Sequence, residues 1–175
     1  MRIIAADDEA LMLDMLTDRI RQACPQGEIH PFSSARRLLA WLEETGEGFD
    51  VAFLDIEMPG MSGLDAARAV LAQRPSCRVI FVTAYSLFQY AHEAVHLGAC
   101  DYLLKPVDPD ELEASVRRAI RQIQTERKLE ELAAAQPQPQ PEPPAAGEEA
   151  EESPEEGENS QAALIMAHVR RYLED

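Results

Sequence analysis

The chain has 175 residues, of which 46% are hydrophobic, and it carries a formal net charge of −16 at pH 7. This length suits one ordinary domain with an additional segment, or two very small domains, and the hydrophobic fraction suffices for a globular core. The strong acidity disfavours binding to nucleic-acid phosphates and to anionic membranes. No hydrophobic run approaches membrane-spanning length, so we expect no membrane partner.

The cysteines Cys24, Cys77 and Cys100 lie far apart and match neither a CxxC motif nor a zinc-binding spacing. The N-terminal sequence has neither the hydrophobic segment nor the cleavage site of a secretory signal. We therefore predict reduced thiols and a cytoplasmic protein.

Short hydrophobic runs alternate with helical patterns over residues 1–125. Runs too short for helices predict strands at Arg2–Ala6, Val51–Leu54, Arg78–Thr83 and Tyr102–Leu104, with a weaker strand at Glu28–Phe32. The segments between them carry hydrophobic residues at helical spacing, and the last helix begins with the capping sequence Asp108-Pro109-Asp110-Glu111. Five strands alternating with five helices predict an α/β fold, in which a doubly wound parallel sheet is covered on both faces.

The composition changes twice after this domain. The last helix can continue through residues 126–135 as a helical extension. Residues 136–160 contain eight glutamates, six prolines and no lysine or arginine, which predicts an acidic disordered linker. Residues 161–175 place hydrophobic side chains on one helical stripe. An isolated short helix has nothing to pack on, so we interpret it as the start of a truncated second domain or as a docking peptide.

Polar side chains stand at the carboxyl ends of the predicted strands. Asp7 and Asp8 follow the first strand, Asp55 follows the third, Thr83 ends the fourth and Lys105 follows the fifth. These ends form the binding crevice of an open α/β sheet. Clustered carboxylates favour Mg²⁺, while a lysine and a hydroxyl suit phosphoryl oxygens. The set therefore predicts phosphoryl transfer to or from a carboxylate.

Each of these residues also has a purely structural interpretation. Asp7 or Asp8 could cap the helix that follows the first strand, and Thr83 could cap the helix that follows the fourth. The functional interpretation depends on all of them lying at one edge of the sheet.

Four motifs contain the polar residues at the strand ends: DDE at residues 7–9, LDIEMPGMSGLD at 54–65, VTA at 82–84 and DYLLKP at 101–106. Together these motifs resemble the receiver domain of bacterial two-component response regulators. The resemblance covers roughly residues 1–125. It implies a flavodoxin-like sheet of order 2-1-3-4-5. It also implies a phosphorylation-activated switch, not an enzyme, whose chemistry is limited to self-phosphorylation and autodephosphorylation.

The resemblance assigns a role to each residue at the crevice. Asp55 is the phosphoacceptor, and Lys105 and Thr83 assist the transfer from a sensor histidine kinase. Asp8 is the principal acidic ligand of Mg²⁺, and the full ligand set is Asp7, Asp8, Asp55 and the backbone carbonyl of Glu57.

Further positions support this site in the resembling family. Pro59 and Gly60 make the tight turn that aims the carbonyl of Glu57, and the Lys105–Pro106 bond is expected to be cis. Thr83 and Tyr102 occupy the switch positions: Thr83 moves towards the phosphoryl oxygens, and the ring of Tyr102 turns inward behind it.

The output of the switch is less directly specified. FQYAHEAVHLGA at residues 88–99 is similar to receivers that precede AraC-type helix-turn-helix domains, and QAALIMAHVRRYLED at 161–175 resembles the first helix of such a domain. This predicts transcriptional control, with DNA contacted only through an output domain missing here. The alternative is a stand-alone receiver that acts as a protein-interaction switch.

The fourth helix, fifth strand and fifth helix form a surface where receivers often dimerise. Asp101 could pair with Arg117, Arg118 and Arg121 of a second copy, although these charges could equally be a solvated face.

The sequence is also compatible with a hydrolase and with a second metal site. A magnesium-dependent phosphohydrolase resembling the haloacid dehalogenases would use Asp55 as nucleophile, with a second acid at position 57. That position usually holds aspartate, whereas this chain has Glu57. His92 and His96, four residues apart on one helix, could share a metal ion, but the sequence offers no third ligand.

Overall fold

The computed structural model describes residues 1–135, and the predicted linker and C-terminal helix lie outside the described residues. Strands and helices alternate in the order β1 Arg2–Ala6, α1 Ala10–Ala23, β2 Glu28–Phe32, α2 Ala35–Thr45, β3 Val51–Leu54, α3 Gly63–Gln73, β4 Arg78–Thr83, α4 Phe88–His96, β5 Asp101–Leu104 and α5 Pro109–Ala135. The strands match those predicted from hydrophobic runs, except that β5 begins one residue earlier, at Asp101.

The five strands form one parallel sheet of order β2-β1-β3-β4-β5. This confirms the predicted fold class and strand order. The strand β1 lies between β2 and β3, so the chain reverses its direction of winding there. In sheets of this kind the crevice forms beyond the carboxyl ends of the strands.

Helices cover both faces of the sheet, which explains why the central strands are hydrophobic at consecutive positions. Ile3 and Phe53 face the layer formed by α1 and α5. Ile4 and Leu54 face the opposite layer of α2, α3 and α4. Because all four side chains are fully buried, each contributes about 1.5–3 kcal/mol of transfer free energy. The edge strand β2 is only partly buried, which accounts for its weaker pattern.

Capping residues fix where several helices begin. The Ser34 and Ser62 hydroxyls accept hydrogen bonds from backbone N–H groups in the first turns of α2 and α3. Asp108 accepts the N–H groups of Asp110 and Glu111, as the capping sequence predicts. These caps set the positions of the loops that precede the helices.

The helix α5 is longer than the others and is tied to the end of the sheet opposite the crevice. Arg127 donates a hydrogen bond of 2.6 Å to Asp50, and Arg78 pairs with Glu126. Within residues 1–135, no helix is both long and apolar enough to cross a lipid bilayer.

Candidate functional site

The sheet brings the predicted site residues to one edge. Backbone hydrogen bonds continue one residue beyond the strands and hold this rim in place. The N–H of Asp7 bonds to the carbonyl of Phe32 (3.1 Å), that of Asp55 to Ala6 (2.9 Å) and that of Lys105 to Thr83 (2.8 Å). The three side chains therefore start from fixed backbone positions on neighbouring strands.

The Lys105 ammonium lies between two carboxylates. Its Nζ is 2.7 Å from Oδ2 of Asp7 and 3.1 Å from Oδ2 of Asp55. The side chains of Asp7, Asp55 and Lys105 expose only 1%, 7% and 11% of their surface. A lysine shared by two nearly buried acids leaves one net negative charge, so the cluster still attracts a further cation.

Burial and charge shift the protonation equilibria of this cluster. Burial raises the pKa of Asp55 above its ordinary value, and the Lys105 ammonium opposes this only in part. Burial alone would lower the pKa of Lys105, but its ion pairs with Asp7 and Asp55 outweigh burial, so the pKa of Lys105 is raised. Lys105 is therefore firmly held as a cation beside the acids.

Three carboxylates form a group that suits a divalent ion. Asp7, Asp8 and Asp55 each offer an oxygen, and these oxygens lie within 4.8 Å of one another. Asp7 and Asp55 are buried, whereas Asp8 is exposed at the mouth of the cluster. Hard oxygen donors with an open side are the donor set that Mg²⁺ prefers, because this ion retains several waters.

The purely structural roles considered for these residues are not observed. The helix α1 begins at Ala10 with Glu9 at its N-cap, and Asp7 instead accepts the N–H of Glu9 in the preceding loop. The helix α4 has Leu87 at its N-cap, four residues beyond Thr83. Neither the acids nor the threonine is therefore a helix-capping residue here.

The loop between β3 and α3 carries the tight turn expected at Pro59 and Gly60. Gly60 has a φ of +80°, a conformation that favours glycine. Gly63 has a role that the sequence analysis missed: a β-carbon there would lie 1.9 Å from the carbonyl oxygen of Asp55. The sequence did offer a signal for this close approach of α3 to the Asp55 backbone. It is a glycine at the first position of the helix, just after the turn.

The expected switch residues are both buried, on adjacent strands. The Thr83 hydroxyl accepts the N–H of Tyr85 at 3.3 Å. The Tyr102 ring is 1% exposed, and its hydroxyl donates a bond of 2.6 Å to the carbonyl of Tyr85. Burial raises the pKa of Tyr102. The ring of Tyr102 thus already occupies the inward position. The Lys105–Pro106 bond is cis, as the resemblance implies.

Tyr85 and Tyr90 extend this network and were not singled out from the sequence. The Tyr90 hydroxyl donates a hydrogen bond of 2.8 Å to the Glu57 carboxylate. Hydrogen bonding to Glu57 also raises the pKa of Tyr85 and of Tyr90. Glu57 therefore joins the β3–α3 loop to α4 beside the acidic cluster.

Three of the charged residues considered for dimerisation, Asp101, Arg117 and Arg118, pair within the chain. Arg118 donates a bond of 2.9 Å to the buried carboxylate of Asp101, and Arg117 pairs with Glu113 at 2.7 Å. A homodimer through this surface stays a prediction.

Comparison with known proteins agrees with this architecture. The chain matches the response regulator receiver domain family over residues 3–117. It is 34% identical over 134 residues to the alginate biosynthesis transcriptional regulatory protein AlgB of Pseudomonas aeruginosa, covering 75% of this chain and 28% of that protein. The regulatory protein AtoC of Escherichia coli is 35% identical over 127 residues, covering 73% and 26%.

A solved structure shares the fold. The CheY-like receiver domain protein of Methanospirillum hungatei superposes with a TM-score of 0.65 at 27% identity, covering 71% of this chain and 97% of that one. The chain spans less than a third of the length of AlgB and AtoC. With the family match, the sheet order and the acid–lysine cluster in agreement, the chain belongs to the response regulator receiver domain family.

Proposed function

We propose that this chain is a phosphorylation-activated switch whose phosphoacceptor is Asp55. One observation carries the proposal: the nearly buried Asp55 carboxylate lies 3.1 Å from the Lys105 ammonium and belongs to a cluster of three acids. Family members interact with histidine kinases, so the phosphoryl donor is a kinase phosphohistidine. An oxygen of Asp55 attacks the phosphorus in line, the P–N bond breaks, and an acyl phosphate forms.

The surrounding residues supply charge and hydrogen bonds to this transfer. Lys105 neutralises a phosphoryl oxygen, and the Thr83 hydroxyl donates a hydrogen bond to another. Mg²⁺ would be held by Asp7, Asp8, Asp55 and the backbone carbonyl of Glu57, and would supply positive charge for the phosphoryl oxygens. Pro59 and Gly60 shape the loop that carries Glu57, and Pro106 fixes the backbone beside Lys105.

The switch itself involves Thr83 and Tyr102. When Thr83 turns towards a phosphoryl group it gives up its bond with the N–H of Tyr85. The bond from the Tyr102 hydroxyl to the carbonyl of Tyr85 links the same loop to β5, so that a movement of the loop reaches Tyr102. Phosphorylation must favour one of two conformations by a few kcal/mol for this to act as a signal.

Control of transcription is the output we infer, through a DNA-binding domain outside this chain. AlgB is described as a transcriptional regulatory protein, and its sequence extends well beyond the matched region. An AraC-type output domain, a homodimer and a cytoplasmic location remain predictions. The alternative output is a stand-alone receiver that binds a protein partner.

Mass spectrometry tests the phosphoacceptor. Acetyl phosphate with Mg²⁺ should add about 80 Da to the wild type and nothing to Asp55→Asn. Asp65→Asn is the matched control, because Asp65 is an exposed acid in the first turn of α3 and should leave phosphorylation intact. Phosphorylation of Asp55→Asn at the wild-type level would remove Asp55 from this role.

A second assay separates the switch from a phosphohydrolase. The wild type should form the acyl phosphate without sustained turnover of a generic phosphate ester. Lys105→Ala should retain metal binding and lose the conformational response to phosphorylation. Continuous multiple turnover by the wild type would favour the hydrolase.

A further inference from the structure

Two histidines lie side by side on the exposed surface of α4, away from the acidic cluster. The Nε2 atoms of His92 and His96 are 3.2 Å apart. Their ring centroids are 4.4 Å apart, with the ring planes inclined at 69°. Both residues are exposed. The two Nε2 atoms therefore lie next to each other on an exposed part of the helix.

This separation matches what one metal ion requires. Two nitrogens that each bind an ion at about 2.0–2.1 Å lie about 2.9 Å apart at a right angle and about 3.4 Å apart at the tetrahedral angle. The observed 3.2 Å falls between these values. The helix thus holds both ligands at chelating distance without a change of backbone.

A hydrogen bond between the rings would also explain the distance. In that arrangement one neutral ring donates its N–H to the lone pair of the other. Such an exposed bond contributes little, since water offers the same partners to each ring. An ion that binds both lone pairs would displace it readily. Phe88 packs on His92, with ring centroids 6.0 Å apart, and limits the orientations of that ring.

We propose that His92 and His96 bind a transition-metal ion of the Zn²⁺, Ni²⁺ or Cu²⁺ class. Imidazole ligands favour these ions, whereas Mg²⁺ favours the oxygens of the acidic cluster. Water completes the coordination, because within residues 1–135 only Asp7, Asp8 and Asp55 form a group of three or more potential ligands. The neighbouring Glu93 carboxylate is paired with Arg68. The site is open and binds more weakly than a closed zinc site.

An ion at this position would act on α4. It joins residues one helical turn apart, so it stabilises the helical form of the segment between them. The same helix is attached to the β3–α3 loop through Tyr90 and Glu57. Metal binding therefore favours whichever conformation keeps this turn of α4 intact.

Isothermal titration of the untagged full chain tests the proposal. Ni²⁺ or Zn²⁺ is titrated in excess Mg²⁺, which occupies the acidic cluster. The wild type should bind one ion at a saturable site, and His92→Gln and His96→Gln should each lose it. Asp55→Asn should retain the site, and so should His168→Gln, which removes a histidine outside the described residues. The ring signals of His92 and His96 should shift in NMR spectra of the wild type.

The outcomes distinguish binding at the two histidines from binding elsewhere on the chain. Both histidines are exposed, so their glutamine variants should keep the circular dichroism spectrum of the wild type. Retention of the site in either histidine variant overturns the proposal. Loss of the site in Asp55→Asn also overturns it, since the ion would then lie in the acidic cluster.

Discussion

Gly63 lies directly against the backbone of Asp55: a β-carbon at position 63 would be 1.9 Å from the Asp55 carbonyl oxygen. The N–H of Gly63 also bonds to the carbonyl of Ile56 at 2.8 Å. The N-terminus of α3 therefore contacts the strand end that carries the proposed phosphoacceptor. Only a residue without a side chain permits this contact.

Replacement of Gly63 by alanine should destabilise the protein and distort the site. The methyl group cannot fit, so α3 or the Asp55 backbone must move, at a cost of about 1–3 kcal/mol or more. Chemical denaturation measures the loss, and acetyl phosphate labelling should slow in parallel.

Gly48→Ala is the matched control. A β-carbon at Gly48 meets nothing closer than the Arg74 side chain at 3.9 Å, so its effect should stay within about 0.5 kcal/mol. Equal effects of the two substitutions would contradict the close contact at Gly63.

The ionisation of Asp55 should reduce stability at neutral pH in the absence of metal. Burial raises its pKa in the folded state, so the folded protein holds a proton that the unfolded chain has released. Stability from this group is present below the ordinary value of 3.8 and is lost as pH rises through the folded-state pKa. Asparagine does not ionise, so Asp55→Asn avoids this loss of stability.

Asp55→Asn should therefore have a higher free energy of unfolding than the wild type at about pH 7, and the gap should shrink on acidification. Denaturation at several pH values, with a chelator present, measures it. Asp18→Asn, an exposed acid paired with Arg21, is the control and should show no such pH-dependent gain. If the difference in free energy of unfolding between Asp55→Asn and the wild type widens on acidification, the charge of Lys105 outweighs burial in its effect on the pKa of Asp55.

Much of the fold was predictable because burial on both faces leaves uninterrupted hydrophobic strands. The strand ends then located Asp7, Asp55, Thr83 and Lys105 at one rim. The sequence could not show that Lys105 forms ion pairs with both Asp7 and Asp55, since that depends on side-chain geometry.

Contacts between distant segments escaped prediction for a related reason. The bond from Tyr90 to Glu57 joins residues 33 positions apart, and neither residue type signals the other. The ion pairs that join α5 to Asp50 and to Arg78 likewise depend on the position at which the helix crosses the sheet. The proximity of His92 and His96 followed from helical spacing, but their 3.2 Å separation needed the side chains.

The Tyr90–Glu57 bond should couple α4 to the β3–α3 loop. Tyr90→Phe removes one exposed hydrogen bond, so the global free energy of unfolding should change by less than about 0.5 kcal/mol. Hydrogen exchange at the N-terminal end of α4 should nevertheless accelerate. Glu57→Ala should also accelerate this exchange, because it removes the carboxylate that accepts the bond from Tyr90. The backbone carbonyl at position 57 remains in place.

The double variant distinguishes a shared bond from two separate effects. If both substitutions break the same interaction, the increase in exchange rate in the double variant should be smaller than the sum of the increases in the two single variants. Tyr172→Phe, the same change outside the described residues, is the control. Strict additivity would contradict the coupling.

The C-terminal half of α5 should depend on its ion pairs with the sheet. Asp50 accepts hydrogen bonds from the N–H of Arg2 at 2.8 Å and from Arg127 at 2.6 Å. Asp50→Asn keeps an acceptor for Arg2 but removes the charge that holds Arg127. Because Arg127 is largely exposed, the loss of stability should be below about 1 kcal/mol.

Amide hydrogen exchange within α5 is the sensitive measurement of the ion pair between Arg127 and Asp50. Amide exchange over residues 124–135 should accelerate in Asp50→Asn and in Arg127→Gln, while the strands keep wild-type protection. Arg121→Gln removes an exposed charge from the same helix and should leave exchange unchanged. Unchanged exchange in both Asp50→Asn and Arg127→Gln would show that helix propensity alone maintains the extension.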